Sequence, residues 1–290
     1  MNRSIRVVAV ALVLSLLGVS PSPELPAGAD SQYTALAQAY YADNFRLNPI
    51  GATQVGVHDY DDKIGDFSAA GIAAQLKLDH TYLGRLATID RSSLSPSVAL
   101  DATLLEYALR DDLLLNETLE QWRHNPDTYT QAASGAIFTV MSKDYAPLDK
   151  RMAFAIARER LIPAMLLQGE KNTTTVDGVT QRISAEDAVG AVDFFKTSVP
   201  EAFASVHDPA LQANLKNANA AAASAMARYA RWIKSIKPKG TFAIGSDAYR
   251  KRLLYEDGLD IGLPQYLAVG QQELHRLRGD FIATAKKINP

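Results

Sequence analysis

Apolar residues recur at three- and four-residue steps through most of this chain, and the runs are cut by Asn-Pro, Ser-Pro and Asp-Pro pairs. That spacing places one side of an α-helix against an apolar environment, and proline is tolerated only at the edges of such helices. Few architectures fit besides a stack of helices joined by short turns. The reading is an all-α, multi-helix array without a doubly wound sheet.

Helices are predicted over residues 30–47, 68–87, 96–124, 148–167, 184–206, 209–237 and 246–258, with a last one from Pro264. A loop is predicted at 51–67, and a short helical or irregular stretch runs to Ser142. Asn48-Pro49 and Asn125-Pro126 read as stops, because a residue before proline is pushed out of the α region. Ser95-Pro96 and Asp208-Pro209 read as a cap followed by proline at the first helical position. In the 96–124 helix, Leu104, Ala108, Leu115, Leu119 and Trp122 form one stripe, and Leu105, Leu109 and Leu113 widen it. A face that broad is normally buried on two sides. Pro163 should kink or interrupt the 148–167 helix. Ser184-Ala185-Glu186-Asp187 resembles a capping box. Across residues 173–183, β-branched residues flank Asp177-Gly178, which reads as one short β-hairpin or as a plain loop. In the last helix Leu267, Gly270, Leu274, Leu277, Phe281 and Ala285 share one apolar face.

The first 29 residues read as a signal peptide. Arg3 and Arg6 precede an apolar run from Val7 to Val19, too short to span a bilayer with ease, and Ala27-Gly28-Ala29 fits cleavage before Asp30. Residues 30–290 then form one helical domain, exported to the periplasm or beyond, with no membrane contact after cleavage. A net charge of −2 offers no basic face for nucleic acid. The chain has no cysteine, hence no disulfide framework and no thiolate ligand or nucleophile.

No residue pattern in the sequence marks a catalytic set or a metal site. A helical zinc peptidase needs two histidines one turn apart with a Glu beside the first. His58, His80, His124, His207 and His275 include no such pair, and each reads as a solvated or core residue. The acidic run Asp59, Asp61, Asp62 has neither the distal Glu nor the Gly placement of a calcium loop and reads as a solvated turn. Metal-free hydrolysis by Asp59, Asp61 or Glu106 is the weakest of the open alternatives.

Several local patterns then line up in order: Tyr40-Tyr41, Asn48-Pro49-x-x-Ala52-Thr53-x-x-Gly56, His58, Tyr60, Asp61, Leu94-Ser95, the 101–105 helix start, Asn125-Pro126, Tyr129, Arg158, Pro163, Phe242-Ala243-Ile244-Gly245, Tyr249, Leu253, Gly258 and Gly270-x-x-Glu273-Leu274. Together they resemble the N-terminal half of the bacterial domain of unknown function 885 family. The resemblance implies relationship to exported, helical zincin-like metallohydrolases about twice this length, with a His-Glu-x-x-Pro-Gly-His signature in their second half. That signature does not occur in this sequence. The resemblance therefore implies a non-catalytic helical portion of a zinc-dependent, peptidase-like hydrolase, truncated by gene fragmentation or incomplete assembly. Its partner would be the missing C-terminal catalytic half, and its substrate in the full-length form a peptide-like molecule. Zinc is implied for the full-length family, with no cofactor held in this chain. Phe242, Ile244, Gly245 and Tyr249 are the substrate-cleft candidates, while Phe242 and Ile244 read in the first place as core anchors leading into a helix. The alternative is a self-sufficient periplasmic binding or scaffold module.

Overall fold

The computed structural model describes residues 28–288, whose regular elements are all helices, without strands. The signal-peptide reading covers residues 1–29, and all of it but Gly28 and Ala29 lies outside the described residues.

Helix α1 (Ala29–Leu47) ends at Asn48, which does more than stop it. The Asn48 Oδ1 accepts from Gly51 N–H at 3.1 Å and, with Pro49 at the first position, opens a short helix α2 (Pro49–Gln54). The loop predicted from residue 51 therefore starts only after α2. Helix α3 (Ala69–Leu86) is capped by Ser68, whose hydroxyl accepts from Gly71 N–H. Helix α4 (Pro96–Leu113) begins at proline as expected, but Ser95 makes no side-chain cap. Its N–H instead donates to Asp30 Oδ1 at 2.9 Å, which ties the starts of α1 and α4 together.

The predicted run from 96 to 124 is broken. After Leu113 the backbone passes through a π turn (Leu114–Thr118), then Glu120 takes a left-handed conformation at φ 41°, and a one-turn helix α5 (Gln121–His124) follows. The buried side of α4 is Ala102, Leu105, Leu109 and Leu113, whereas Leu104 is 38% exposed. The residues read as widening the stripe are its centre and pack toward α1 and α3, while the opposite side, at Tyr107 and Asp111, is met by residues 246–257.

Helices α6 (Asp127–Met141) and α7 (Leu148–Asn172) follow. α7 continues through Pro163: the flanking Ile162, Met165 and Leu166 are fully or almost fully buried, and their burial, at ~1.5–3 kcal/mol per side chain, offsets the ~3 kcal/mol penalty of an interior proline. Gly169 lets α7 approach α6, since a Cβ there would lie 2.7 Å from the Tyr129 ring.

No hairpin forms at 173–183. Asp177 accepts from Val179 N–H at 2.9 Å and Thr180 N–H at 3.1 Å, so Asp-Gly is the cap and first residue of helix α8 (Gly178–Asp193) rather than a reversing turn. The β-branched run before it makes single backbone bonds, Thr174 N–H to Arg123 O and Val176 O from Lys239 N–H. With no second strand to ladder against, the helix start prevails. Ser184, read as a cap, lies buried inside α8. A second π turn (Phe194–Ser198) leads into α9 (Val199–Ala202). Asp208 caps α10 (Pro209–Ser235) through Ala210 and Leu211 N–H groups, as expected.

Two cores result. The larger joins α6, α7, α8 and α10 through Ile137, Met152, Ile162, Leu166, Phe195, Met226, Tyr229 and Ile233, with the alanines of α10 letting it pack closely on α7 and α8. The smaller joins α1, α3 and α4 through Tyr33, Tyr40, Tyr82, Leu86, Leu105 and Leu109. Helix α11 (Ser246–Asp257) closes at Gly258, φ 68°, as predicted. Helix α12 (Leu263–Ile288) then leaves the body and buries none of its residues.

Candidate functional site

The best-organised polar group of the molecule sits where α2 and its loop meet α6 and α7. Arg158 is fully buried on α7. Its Nη1 donates to Ala136 O at 2.7 Å and to Thr139 Oγ1 at 3.0 Å, and its Nη2 donates to Thr53 Oγ1 at 2.5 Å. The Thr53 hydroxyl in turn donates to Asp61 Oδ1 at 2.6 Å. Asp61 is 1% exposed, and its Oδ2 lies 3.0 Å from His58 Nδ1. The His58 ring stacks on Tyr145 with centroids 3.7 Å apart. Burial lowers Arg158 to about 10, opposed by the Asp61 charge, and raises Tyr145, with its bond to Asp61 adding to the shift.

Local sequence explains the placement. Pro49 and the α2 turn aim Thr53 inward, and Asp61 folds back over it from the loop. Arg151 organises the 141–147 turn that carries Tyr145, donating to Met141 O and Ala146 O and pairing with Asp144. A buried guanidinium and a buried carboxylate thus neutralise each other through a hydroxyl, which a buried charge requires. Chemically, a carboxylate on Nδ1 fixes the imidazole tautomer and leaves Nε2 as the acceptor on the half-exposed side. Thr53, His58, Asp61 and Arg158 are among the positions that carried the resemblance, and the fold brings them together across more than a hundred residues. Asp61 is consequently not the solvated turn residue read from the sequence, nor is His58 an isolated histidine. Tyr145 was missed. The signal for Arg158 was present: Arg158 and Glu159 fall on the apolar side of α7, between Ala155 and Ile162.

The other histidines stay apart. His80 meets Glu117 at 2.9 Å with both side chains exposed, and His124 meets Thr175. Among the described residues no three His, Asp or Glu side chains converge so as to hold a metal ion. These residues do not fit zinc by themselves. Glu106, on α4, is engaged by Arg91 and Arg110, at 2.8 Å each, so each of its oxygens already has a guanidinium partner.

A groove of about 830 Å³ runs along α10 beside α9, lined by Lys196, Lys216, Asn219, Ala220 and Ala223. Asn219 donates to Glu159 Oε1 at 2.8 Å; Glu159 is fully buried, its Oε2 unbonded, and burial pushes it up to about 7. The groove brings no nucleophile and base together.

Of the predicted cleft residues, Phe242 is 66% exposed and Tyr249 42% exposed, while Ile244 is half-buried and Gly245 adopts φ 83°. Phe242 is therefore not a core anchor. Tyr249 touches Tyr266 edge-on at 6.3 Å, which joins this segment to the start of α12. Between residues 237 and 288 only Leu253 is buried. Leu267, Leu274, Leu277, Phe281 and Ile288 are 55–81% exposed along α12. This arm is held to α4 by Arg252 on Asp111, by Tyr255 against Tyr107 at 5.8 Å, and by Leu253.

No helix among the described residues is long and apolar enough to cross a membrane. No curated protein sequence matches the chain. A solved structure described as a candidate lipoprotein of unknown function, from Shewanella oneidensis, is similar with a TM-score of 0.73 at 20% identity. The likeness covers 85% of this chain and 46% of that one, so this chain spans less than half the length of that relative. At this identity it shows the fold alone. The family profile described as a bacterial protein of unknown function (DUF885) matches residues 49–290, and on that span the chain belongs to the DUF885 family.

Proposed function

We propose that this chain is the N-terminal, non-catalytic helical portion of an exported zinc-dependent hydrolase, peptidase-like in its chemistry. Its arm and body form one side of a cleft that a further, metal-bearing portion closes. The observation that carries this reading is the arm. A 26-residue helix with an aliphatic and aromatic stripe that buries no residue is what a surface awaiting a second body presents. The relative whose chain is more than twice the matched length supports it. Phe242, Ile244, Gly245 and Tyr249 lie at the root of α12, where an exposed aromatic and a tyrosine hydroxyl could meet a peptide-like substrate. In this reading the Arg158–Thr53–Asp61 network holds the 55–67 loop rigid, and His58 is its outward edge.

The second reading is a self-sufficient binding or scaffold module. It is favoured by the body, residues 28–236, which closes two cores without the arm. Metal analysis and peptide hydrolysis on the purified chain test the proposal. Substoichiometric zinc and no hydrolysis of unstructured peptides are expected. Tight, stoichiometric zinc with peptidase activity would overturn it.

A further inference from the structure

Between α3 and α4 two carboxyl groups meet with no donor for their inner oxygens. Asp79 is fully buried, and its Oδ1 accepts from Gln75 Nε2 at 3.0 Å. The same amide reaches Asn44 Oδ1 on α1 at 3.2 Å. Across the interface, Asp112 Oδ1 accepts from Asn116 Nδ2 at 2.7 Å. The Oδ2 atom of each is buried and has no hydrogen-bond donor, yet the two side chains lie within hydrogen-bonding reach of each other.

Two buried carboxylate oxygens cannot face each other bare, because repulsion and lost hydration act together. A cation would resolve the conflict, but only two carboxylates converge, and no third ligand of that kind joins them among the described residues. A proton resolves it with the atoms present. On Asp79 it makes an O–H that donates to Asp112, and every oxygen of the pair is then satisfied. The neighbouring groups supply no alternative. Tyr40 faces the pair from α1 and is itself an acid. Asn44, Gln75 and Asn116 are neutral. Asp111 is adjacent on α4, and the cation near it, Arg252 of α11, is held by Asp111 and Glu256. Burial first, then the bond and charge of Asp112, raise Asp79 to about 9.

The place of this pair in the fold gives it a consequence. Asp112 follows directly on Asp111, the residue that grips the arm through Arg252, and α4 leaves its α-helical register two residues later. We propose that a single proton shared by Asp79 and Asp112 clamps α3 to α4 at the root of the arm, and that its loss to solvent under alkaline conditions loosens the arm from the body. The inference is independent of the hydrolase reading and does not use zinc or a second portion.

Amide hydrogen exchange on the full chain, corrected for intrinsic base catalysis and followed from about pH 7 to pH 10, tests it. Protection of α11 should fall by about tenfold or more in the wild type. Asp79→Asn should hold its protection, because the amide Oδ1 still accepts from Gln75 while its N–H donates permanently to Asp112. Wild-type protection that does not fall, or an Asp79→Asn variant that loses it in parallel, would overturn the proposal. Should that variant not fold, infrared spectra of the wild type decide. A protonated carboxyl band persisting at about pH 8 and vanishing toward pH 10 is expected, and its absence at pH 8 would refute the shared proton.

Discussion

The body and the arm are both helical, yet they are built on opposite terms. In the body, helices turn apolar sides toward one another and even charged side chains such as Arg158, Glu159 and Asp61 are shut in with partners. In the arm, α12 has an equally regular apolar stripe and no neighbour to take it. Periodicity is thus a property of a helix, whereas burial belongs to a pair of elements. The comparison shows that the same pattern marks a finished core in one place and an unfilled interface in another.

Matched substitutions can break that comparison. The largest difference should come from arginine. Arg158→Met strands buried Asp61 and three acceptors and should cost about 3–5 kcal/mol, whereas Arg276→Met in α12 removes only exposed pairs with Glu273 and Asp280 and should cost under about 0.5 kcal/mol. Urea unfolding of the two variants measures both, and equal costs would mean that the arm is packed in solution.

Glycines give the next contrast. Gly169→Ala puts a methyl into the Tyr129 ring and should destabilise by about 1–3 kcal/mol, while Gly270→Ala meets nothing within 4 Å and should be neutral or stabilise by about 0.5–1 kcal/mol through helix propensity. Thermal unfolding that showed a loss at Gly270 would place a partner against α12.

The smallest effect is in pH. Glu159 is raised to about 7, chiefly by burial. A raised carboxyl stabilises fully below its unfolded value near 4.5 and loses that contribution as pH rises through about 7. Glu159→Gln should flatten this dependence and gain about 1–2 kcal/mol at pH 8 relative to pH 5. Parallel stability curves for Glu159→Gln and wild type would show that water reaches the carboxyl in the folded state.

Much of the local structure was legible. Asp208-Pro209, Ser68 and Gly258 act at helix ends as their chemistry dictates, because caps and left-handed glycines depend on residues within one turn. Asp177-Gly178 misled because the dipeptide suits both a hairpin and a helix start, and only the absence of a strand partner decides between them. The π turn after Leu113 left no mark, since each of its residues is an acceptable helix former. The candidate site was legible in part. Thr53, His58, Asp61 and Arg158 stood out as a pattern, but nothing local says that α7 carries its arginine to within a hydrogen bond of α2. Tyr145 carried no signal at all, because its stacking on His58 depends on a turn arranged by Arg151.

By itself, the sequence determined that the chain is helical, where most helices start, and that α12 has one apolar side, since these follow from spacing and end chemistry along a single segment. Only the tertiary structure decided what meets each side of α4, which charges are shut in together, and that the stripe on α12 remains open. Those outcomes depend on what each surface meets, and contact between distant segments is set by how all the helices pack at once.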